Sequence, residues 1–262
     1  VDHPLMIGQF KEIITACGKI LLKLSEDERA KGVWQADQFK AEADKIAHDF
    51  LIKSFKAKFN LPIVSEEDNE RNEFESQKYI IIDPIDGTAS FSHGFKGWVT
   101  QAALIKDQKP VISVVFAPES NELFWAESGK GSFCNDKRLA LKQTVGHQIK
   151  SIIDNYPTSQ GITKEIVDHF KIPQYVESGS LGLKICRVAS GSAKLFFKAM
   201  NPRDWDLAAP QLILEEAGGV LTDAFGKEIK YGSKDRSHKG LIASPDEEVM
   251  KRVSAWYTQK YK

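Results

Sequence analysis

The sequence predicts an α+β fold, with helices packed on an antiparallel or mixed sheet, and three observations carry that expectation. Short apolar runs broken by turn residues follow one another from Trp98 to Cys134, as successive hairpins do. Apolar residues recur at helical spacing over residues 6–24 and again over 41–59. Tyr79-Ile80-Ile81-Ile82 has the pattern of a strand buried on both faces, and it leads directly into Asp83-Pro84-Ile85-Asp86-Gly87-Thr88.

Taken in order, residues 6–24 place Ile7, Phe10, Ile13, Ile14, Cys17, Ile20 and Leu21 on one stripe of an amphipathic helix. Ser25 to Asp37 is polar and charged and is expected to be a mobile loop. The second helix carries Ala43, Ile46, Ala47, Phe50, Leu51 and Phe55 inward and sets Asp44 near its N-terminal end. Ile63-Val64 is a short strand that delivers Ser65-Glu66-Glu67-Asp68 at its end, and 69–77 reads as loop. Strands are expected at 79–82, 98–104, 111–116, 122–126 and 132–134, the second and third joined by a turn at 106–110. Thr144 to Gln148 is the expected seam between an N-terminal half, residues 1–145, and a C-terminal half, residues 146–262. Beyond it come a strand at 151–155, helices at 161–170 and 179–190, and a strand at 193–197. A helix at 207–217 follows, with Asp206 as its N-cap, then strands at 220–222 and 240–243 and a last helix at 246–257.

Composition narrows the function. The 262 residues suit one large domain or two closely packed halves, with 42% apolar and 27% charged residues as in ordinary globular proteins. Net charge is zero and there is no basic stripe, which speaks against a nucleic-acid polymer as partner and leaves room for a small anionic ligand. Cys17, Cys134 and Cys186 are far apart and form no C-x-x-C pair, as expected of reduced thiols. No apolar run reaches membrane-span length and no signal pattern opens the chain, so a soluble cytoplasmic enzyme is the expectation.

The chemistry is concentrated at Asp83 to Thr88. Pro84 fixes φ and lacks a donor, so the strand is expected to stop there. The two carboxylates of Asp83 and Asp86 can then converge on one point, while Gly87 admits a close ligand and Thr88 caps a turn with outward N–H groups. A hard cation and a phosphate together want oxygen ligands and backbone N–H groups arranged in this way. Asp-Pro and Asp-Gly are also ordinary turn pairs, Asp44 alone reads sooner as a helix-dipole or solvated carboxylate, and Asp206 alone as a plain N-cap.

Glu66, Asp83, Asp86 and Asp206 with Gly87-Thr88 resemble the inositol monophosphatase superfamily of magnesium-dependent, lithium-sensitive phosphatases. The resemblance extends over SEE, DPIDGT, GKGSFCN, GSLGLKICRVASG, WDLAA and EEAGGVLTDAFG, and so over most of the chain. It implies a layered α-β-α-β-α sandwich with two pseudo-halves, two or three Mg2+ ions per site, and a small phosphorylated substrate. Glu66, Asp83 and the Ile85 carbonyl would hold one magnesium, and Asp83, Asp86 and Asp206 a second. Gly87 and Thr88 would offer N–H groups to the phosphate, and Asp44, Glu66 and Thr88 would take part in activating the attacking water. Dimers occur in the family, so a homodimer is an option that the resemblance leaves open. The chain departs from the family at Lys40-Ala41-Glu42-Ala43-Asp44, which lacks the usual threonine ahead of the aspartate.

The second half bears on substrate. Lys198 stands where inositol monophosphatases tend to place an acid, and GSLGLKICRVASG looks more like the 3′(2′),5′-bisphosphate nucleotidases. That resemblance implies Lys184 as a contact for a second phosphate, Ser180 as a hydrogen-bond donor, and Arg203 and Asp206 beside the substrate. Lys184 alone reads equally as a surface lysine. The expectation is hydrolysis of the 3′-phosphate of adenosine 3′,5′-bisphosphate or a related nucleotide. Inositol or sugar phosphatase activity is the alternative within the superfamily, and a weakly catalytic regulator the alternative outside it.

Overall fold

The computed structural model describes residues 3–30, 36–68, 76–142 and 147–261. Two long helices open the chain, α1 (His3–Ala30) and α2 (Ala36–Lys58). Their apolar stripes meet at Phe10 and Phe55, whose rings lie 4.9 Å apart edge to face. Both helices are longer than expected, α1 at each end and α2 at its start. Ser25–Ala30 is helical because its Glu, Arg and Ala residues favour helix and no Gly or Pro interrupts them, although no apolar period marks it. Asp37 likewise falls inside α2, and the rest of the expected loop, 31–35, lies outside the described residues.

The first sheet follows chain order: β1 (Ile63–Ser65), β2 (Lys78–Asp86), β3 (Val99–Lys106), β4 (Lys109–Ala117), β5 (Glu122–Glu127), β6 (Gly131–Cys134) and β7 (Lys137–Leu139). The β1–β2 pair is parallel and the others antiparallel, so the sheet is mixed. The turn between β3 and β4 is tight, with Asp107 and Gln108 at φ 50° and 65°. β7 went unforeseen because three residues behind an Asn-Asp turn carry no alternation to detect.

Pro84 does not end its strand. β2 continues to Asp86, because its register with β3 shifts between the Asp83–Gln101 and Asp86–Val99 pairs. Three steps along β2 are matched by two along β3, a bulge, and a proline inside a bulge deprives the ladder of no bond. The short helix α3 (Thr88–Ser92) follows at once.

The second sheet has the order β11-β12-β10-β8-β9, built from β8 (Ser151–Asp154), β9 (Gln174–Glu177), β10 (Phe196–Lys198), β11 (Val220–Thr222) and β12 (Leu241–Ser244). Four helices are interleaved with it: α4 (Gly161–Phe170), α5 (Leu181–Ala189), α6 (Asp204–Glu216) and α7 (Glu247–Tyr261). β9 went unforeseen, since its side chains are at most half-buried. The expected seam at Thr144–Gln148 falls largely outside the described residues; β1–β7 precede it and β8–β12 follow it.

Apolar burial fixes the layers. Residues of α1 and α2 share one core with Ile80, Ile82 and Val114 of the first sheet. On the opposite face, Ile185 and Val188 of α5 and Leu212 and Ile213 of α6 pack with Ile81 and Val115, and also with Phe196 and Ala243 of the second sheet. Ile166 of α4 and Val249 and Val253 of α7 cover the outer face at Ile152 and Ile242. The result is the expected α-β-α-β-α sandwich, with α5 and α6 as the shared middle layer.

Candidate active site

Carboxylate oxygens of Asp83, Asp86 and Asp206 all lie within 4.8 Å of one another. The bulge makes this possible. In a regular strand, residues three apart point to opposite faces, and the extra residue at Pro84 returns Asp86 to the side of Asp83. Asp86 then accepts from the N–H groups of Gly182 (2.6 Å) and Leu181 (3.3 Å) at the start of α5. Gly182 is required there, since a Cβ would sit 2.4 Å from Gln101 Oε1 and 2.9 Å from Asp86 Oδ2. Asp206 is the third residue of α6 and not its N-cap. The extended Arg203 occupies the cap, and Asp206 Oδ2 reaches back to its N–H at 2.6 Å.

Glu66 follows β1 in the turn beside this cluster, near enough to Asp83 for each carboxyl to affect the other's protonation. Asp44 is buried in the third turn of α2, farther from the helix start than expected. One turn on, His48 Nδ1 lies 2.9 Å from Ser65 Oγ, tying α2 to the turn that carries Glu66. Gln101, opposite Asp83 on β3, directs its Nε2 to the Trp205 carbonyl at 3.0 Å and to Asp83 Oδ2 at 3.4 Å. Sequence reasoning passed over both. His48 could have been noticed four residues after Asp44, whereas Gln101 sits in an otherwise apolar strand with no motif around it.

Without a cation this group is electrostatically unfavourable. Burial, then repulsion from Asp86, pushes Asp206 up to about 8. Burial raises Asp83 well above the carboxylate range, reinforced by Glu66, Asp86 and Asp206. Asp86 is raised by burial despite its two backbone donors. Glu66 keeps contact with solvent, yet loss of hydration on its inner side lifts it to about 7, with Glu67, Asp86 and Asp44 adding. Asp44 is lifted to about 6 by burial and then Glu67. Asp83 Oδ1 is buried with no hydrogen-bond partner. All-oxygen donors, an orphaned carboxylate oxygen and mutual repulsion fit a hard divalent cation.

Gly87 adopts the left-handed conformation, φ 89° and ψ 37°, against Ser180 and the Trp98 backbone, so only glycine serves there. Thr88 starts α3 and donates its hydroxyl to the Ile85 carbonyl at 3.3 Å. Ser180 is buried as the N-cap of α5, accepting from Leu183 N at 3.1 Å, and its hydroxyl serves Asp86. Arg203 Nη1 donates to the Asp235 carbonyl at 2.5 Å and lines a cleft of about 230 Å3 with Glu66, Trp205 and Arg236.

Lys184 fits neither expectation made for it. It is 1% exposed, its Nζ is engaged by Asn155 Oδ1 and the Gly179 carbonyl, and burial drops it to about 7. An ammonium so held braces the turn before α5 and is not free for a phosphate. Lys198 Nζ pairs with Asp154 Oδ1 at 2.6 Å, beside the half-exposed ring of Tyr156 at 6.0 Å. Asp154 closes β8, which lies parallel to both of its neighbours, β10 and β9. In such sheets the crevice at the carboxyl end of the central strand is where ligands settle.

Residues 5–259 match the inositol monophosphatase family. The chain is 31% identical over 205 residues to inositol monophosphatase 1 of Solanum lycopersicum, spanning 74% of this chain and 75% of that one. It is also 31% identical over 215 residues to a fructose-1,6-bisphosphatase of Pyrococcus furiosus, spanning 80% of each. Among solved structures, CysQ from Bacteroides thetaiotaomicron superposes with a TM-score of 0.80 over 91% of this chain and 96% of that one, at 21% identity, a likeness of fold.

Proposed function

Since the chain belongs to the inositol monophosphatase family, we propose that it is a magnesium-dependent phosphomonoesterase acting on the 3′-phosphate of a nucleotide such as adenosine 3′,5′-bisphosphate. The observation that carries the hydrolase reading is the convergence of Asp83, Asp86 and Asp206, with an orphaned Asp83 oxygen, beside the left-handed Gly87. Glu66, Asp83, Asp86, Asp206 and the Ile85 carbonyl would hold the divalent cations. When bound, these supply positive charge that neutralises the carboxylates and makes water acidic enough to attack at neutral pH.

The chain's own groups do the rest. Backbone N–H groups of Gly87 and Thr88 face the phosphate, and the Thr88 hydroxyl, donating to Ile85, presents its lone pairs to the attacking water. Asp44, lifted to about 6, has the basicity wanted of a group that takes a proton near neutral pH. Water attacks phosphorus in line and yields a proton to Asp44, the ester bond breaks opposite it, and the leaving alkoxide takes a proton from solvent, to which Asp44 returns its own.

For the nucleotide, support comes from Lys198, the last residue of β10, whose ammonium reaches Asp154 at the carboxyl end of β8 and would be shared with the ligand, with the exposed face of Tyr156 next to it. These give a second phosphate a cation and a base a stacking surface. Lys184 supports the turn beneath and makes no direct contact in this reading. The two relatives named above favour a second reading, an inositol or sugar phosphate as substrate. The three free cysteines accord with a cytoplasmic setting.

The test is phosphate release with magnesium from adenosine 3′,5′-bisphosphate, inositol 1-phosphate and fructose 1,6-bisphosphate, side by side. A strong preference for the nucleotide is expected, abolished by Asp83→Asn and depressed by lithium. Preference for either of the others transfers the assignment to the second reading, and release from none removes the hydrolase.

A further inference from the structure

We propose that Gln101 is a positioning residue that locks Asp206 to Asp83 by replacing a helix hydrogen bond that Pro210 removes. The proposal rests on the phosphatase reading of the site and concerns how its carboxylates are held.

Gln101 is 1% exposed and stands directly opposite Asp83 in the β2–β3 register. Its Nε2 lies 3.0 Å from the Trp205 carbonyl and 3.4 Å from both the Asp206 carbonyl and Asp83 Oδ2. All three are acceptors, so the NH2 end must face them. The other end, Oε1, is buried without a donor, on the side where a Cβ on Gly182 would come within 2.4 Å. With two N–H groups for three acceptors, the amide bonds the Trp205 carbonyl at the shorter distance and shares its other hydrogen between the Asp206 carbonyl and Asp83 Oδ2, at the expense of its own oxygen.

The need for an outside donor comes from α6 itself. An N–H at position 210 would normally bond the carbonyl of residue 206, four back along the helix. Pro210, buried inside α6, has none, and its ring crowds that same carbonyl. The turn bearing Asp206, whose carboxylate enters the cluster, is thus not closed by its own ladder. Gln101 closes it from the neighbouring sheet and touches Asp83 with the same group. Without it the two carboxylates, on separate elements, lose the amide group that reaches toward both elements, and cation ligands tolerate little such freedom.

The measurement is Mg2+ affinity by calorimetry, alongside kcat and KM, for Gln101→Leu alone and combined with Pro210→Ala, which restores the missing N–H. Gln101→Leu is expected to weaken Mg2+ binding and lower kcat by about tenfold or more. KM for the phosphate ester is expected to stay within about twofold. In the Pro210→Ala background the loss of Mg2+ affinity should shrink by roughly threefold or more, since the helix again satisfies the carbonyl. Wild-type Mg2+ affinity in Gln101→Leu overturns the proposal, and so does a loss of full size in the Pro210→Ala background. If Gln101→Leu does not fold, Gln101→Asn, one methylene short of the carbonyls, is measured by the same criteria. Should the unaltered protein hydrolyse no ester, the phosphatase reading falls, while Mg2+ affinity still decides the role of Gln101.

Discussion

Replacing Asp206 by asparagine should stabilise the cation-free protein while destroying its activity. Asp206 titrates near 4 in an unfolded chain and at about 8 in the fold, chiefly through burial and then through Asp86. Between those values the folded state holds a proton that the unfolded state has lost, so stability falls as pH rises from about 4 to about 8. Roughly 4 units at roughly 1.4 kcal/mol each cap that cost near 5–6 kcal/mol at pH 8. Asp83, Asp86 and Glu66 share the repulsion and relieve part of it by keeping protons of their own, so a gain of about 1–3 kcal/mol is expected. Asparagine keeps an acceptor for the Arg203 N–H, so the helix start is preserved. The assay is urea unfolding at pH 8 in a chelator and again in excess Mg2+. In chelator Asp206→Asn should unfold at higher urea than the parent protein. In Mg2+ the order should reverse, because only the parent gains fully from binding. A variant less stable than the parent in chelator would refute the argument that these carboxylates are held against their mutual repulsion.

Gly182→Ala should lower activity and Mg2+ affinity together by about tenfold or more and cost about 1–3 kcal/mol, because its Cβ meets Gln101 Oε1 and Asp86 Oδ2; melting curves and calorimetry read both. Lys184→Met leaves Asn155 Oδ1 and the Gly179 carbonyl without their donor, worth about 1–3 kcal/mol, and should lower the melting temperature. Lys184 falls to about 7 in the fold against about 10.4 when unfolded, so the unfolded state binds the extra proton over that window. Its contribution to stability should therefore climb from pH 7 to about pH 10, at no more than about 1.4 kcal/mol per unit, a slope that Lys184→Met lacks in paired urea titrations. Gly179→Ala would drive a Cβ to 2.2 Å from the Gly97 carbonyl, so a loss of roughly 3 kcal/mol or an unfolded product is expected by circular dichroism.

Sequence by itself determined the parts that depend on one element at a time. The stripes of α1 and α2, the hairpins of the first sheet and the ends of α4 follow from apolar spacing and turn residues, which record burial along a single segment. The pair Asp83 and Asp86 stood out because carboxylates at a strand end are aimed by local geometry, whereas Glu66 and Asp206 were picked from ordinary-looking turn and helix-start residues only through the family resemblance. What one element does to another had to come from the tertiary structure. Only the pairing of β2 with β3 shows that Pro84 lies in a bulge, and the bulge is what turns Asp83 and Asp86 to the same side. From its own helix Lys184 read equally as a surface lysine or a phosphate contact, but α5 is the middle layer of the sandwich and is covered from both sides. Gln101 and Pro210 are ordinary residues in their own segments and acquire a common role only because β3 lies against α6. A one-dimensional pattern reports how much of each side chain is hidden, and the partner that hides it is chosen by packing among segments that lie from 18 to 105 residues apart in these cases.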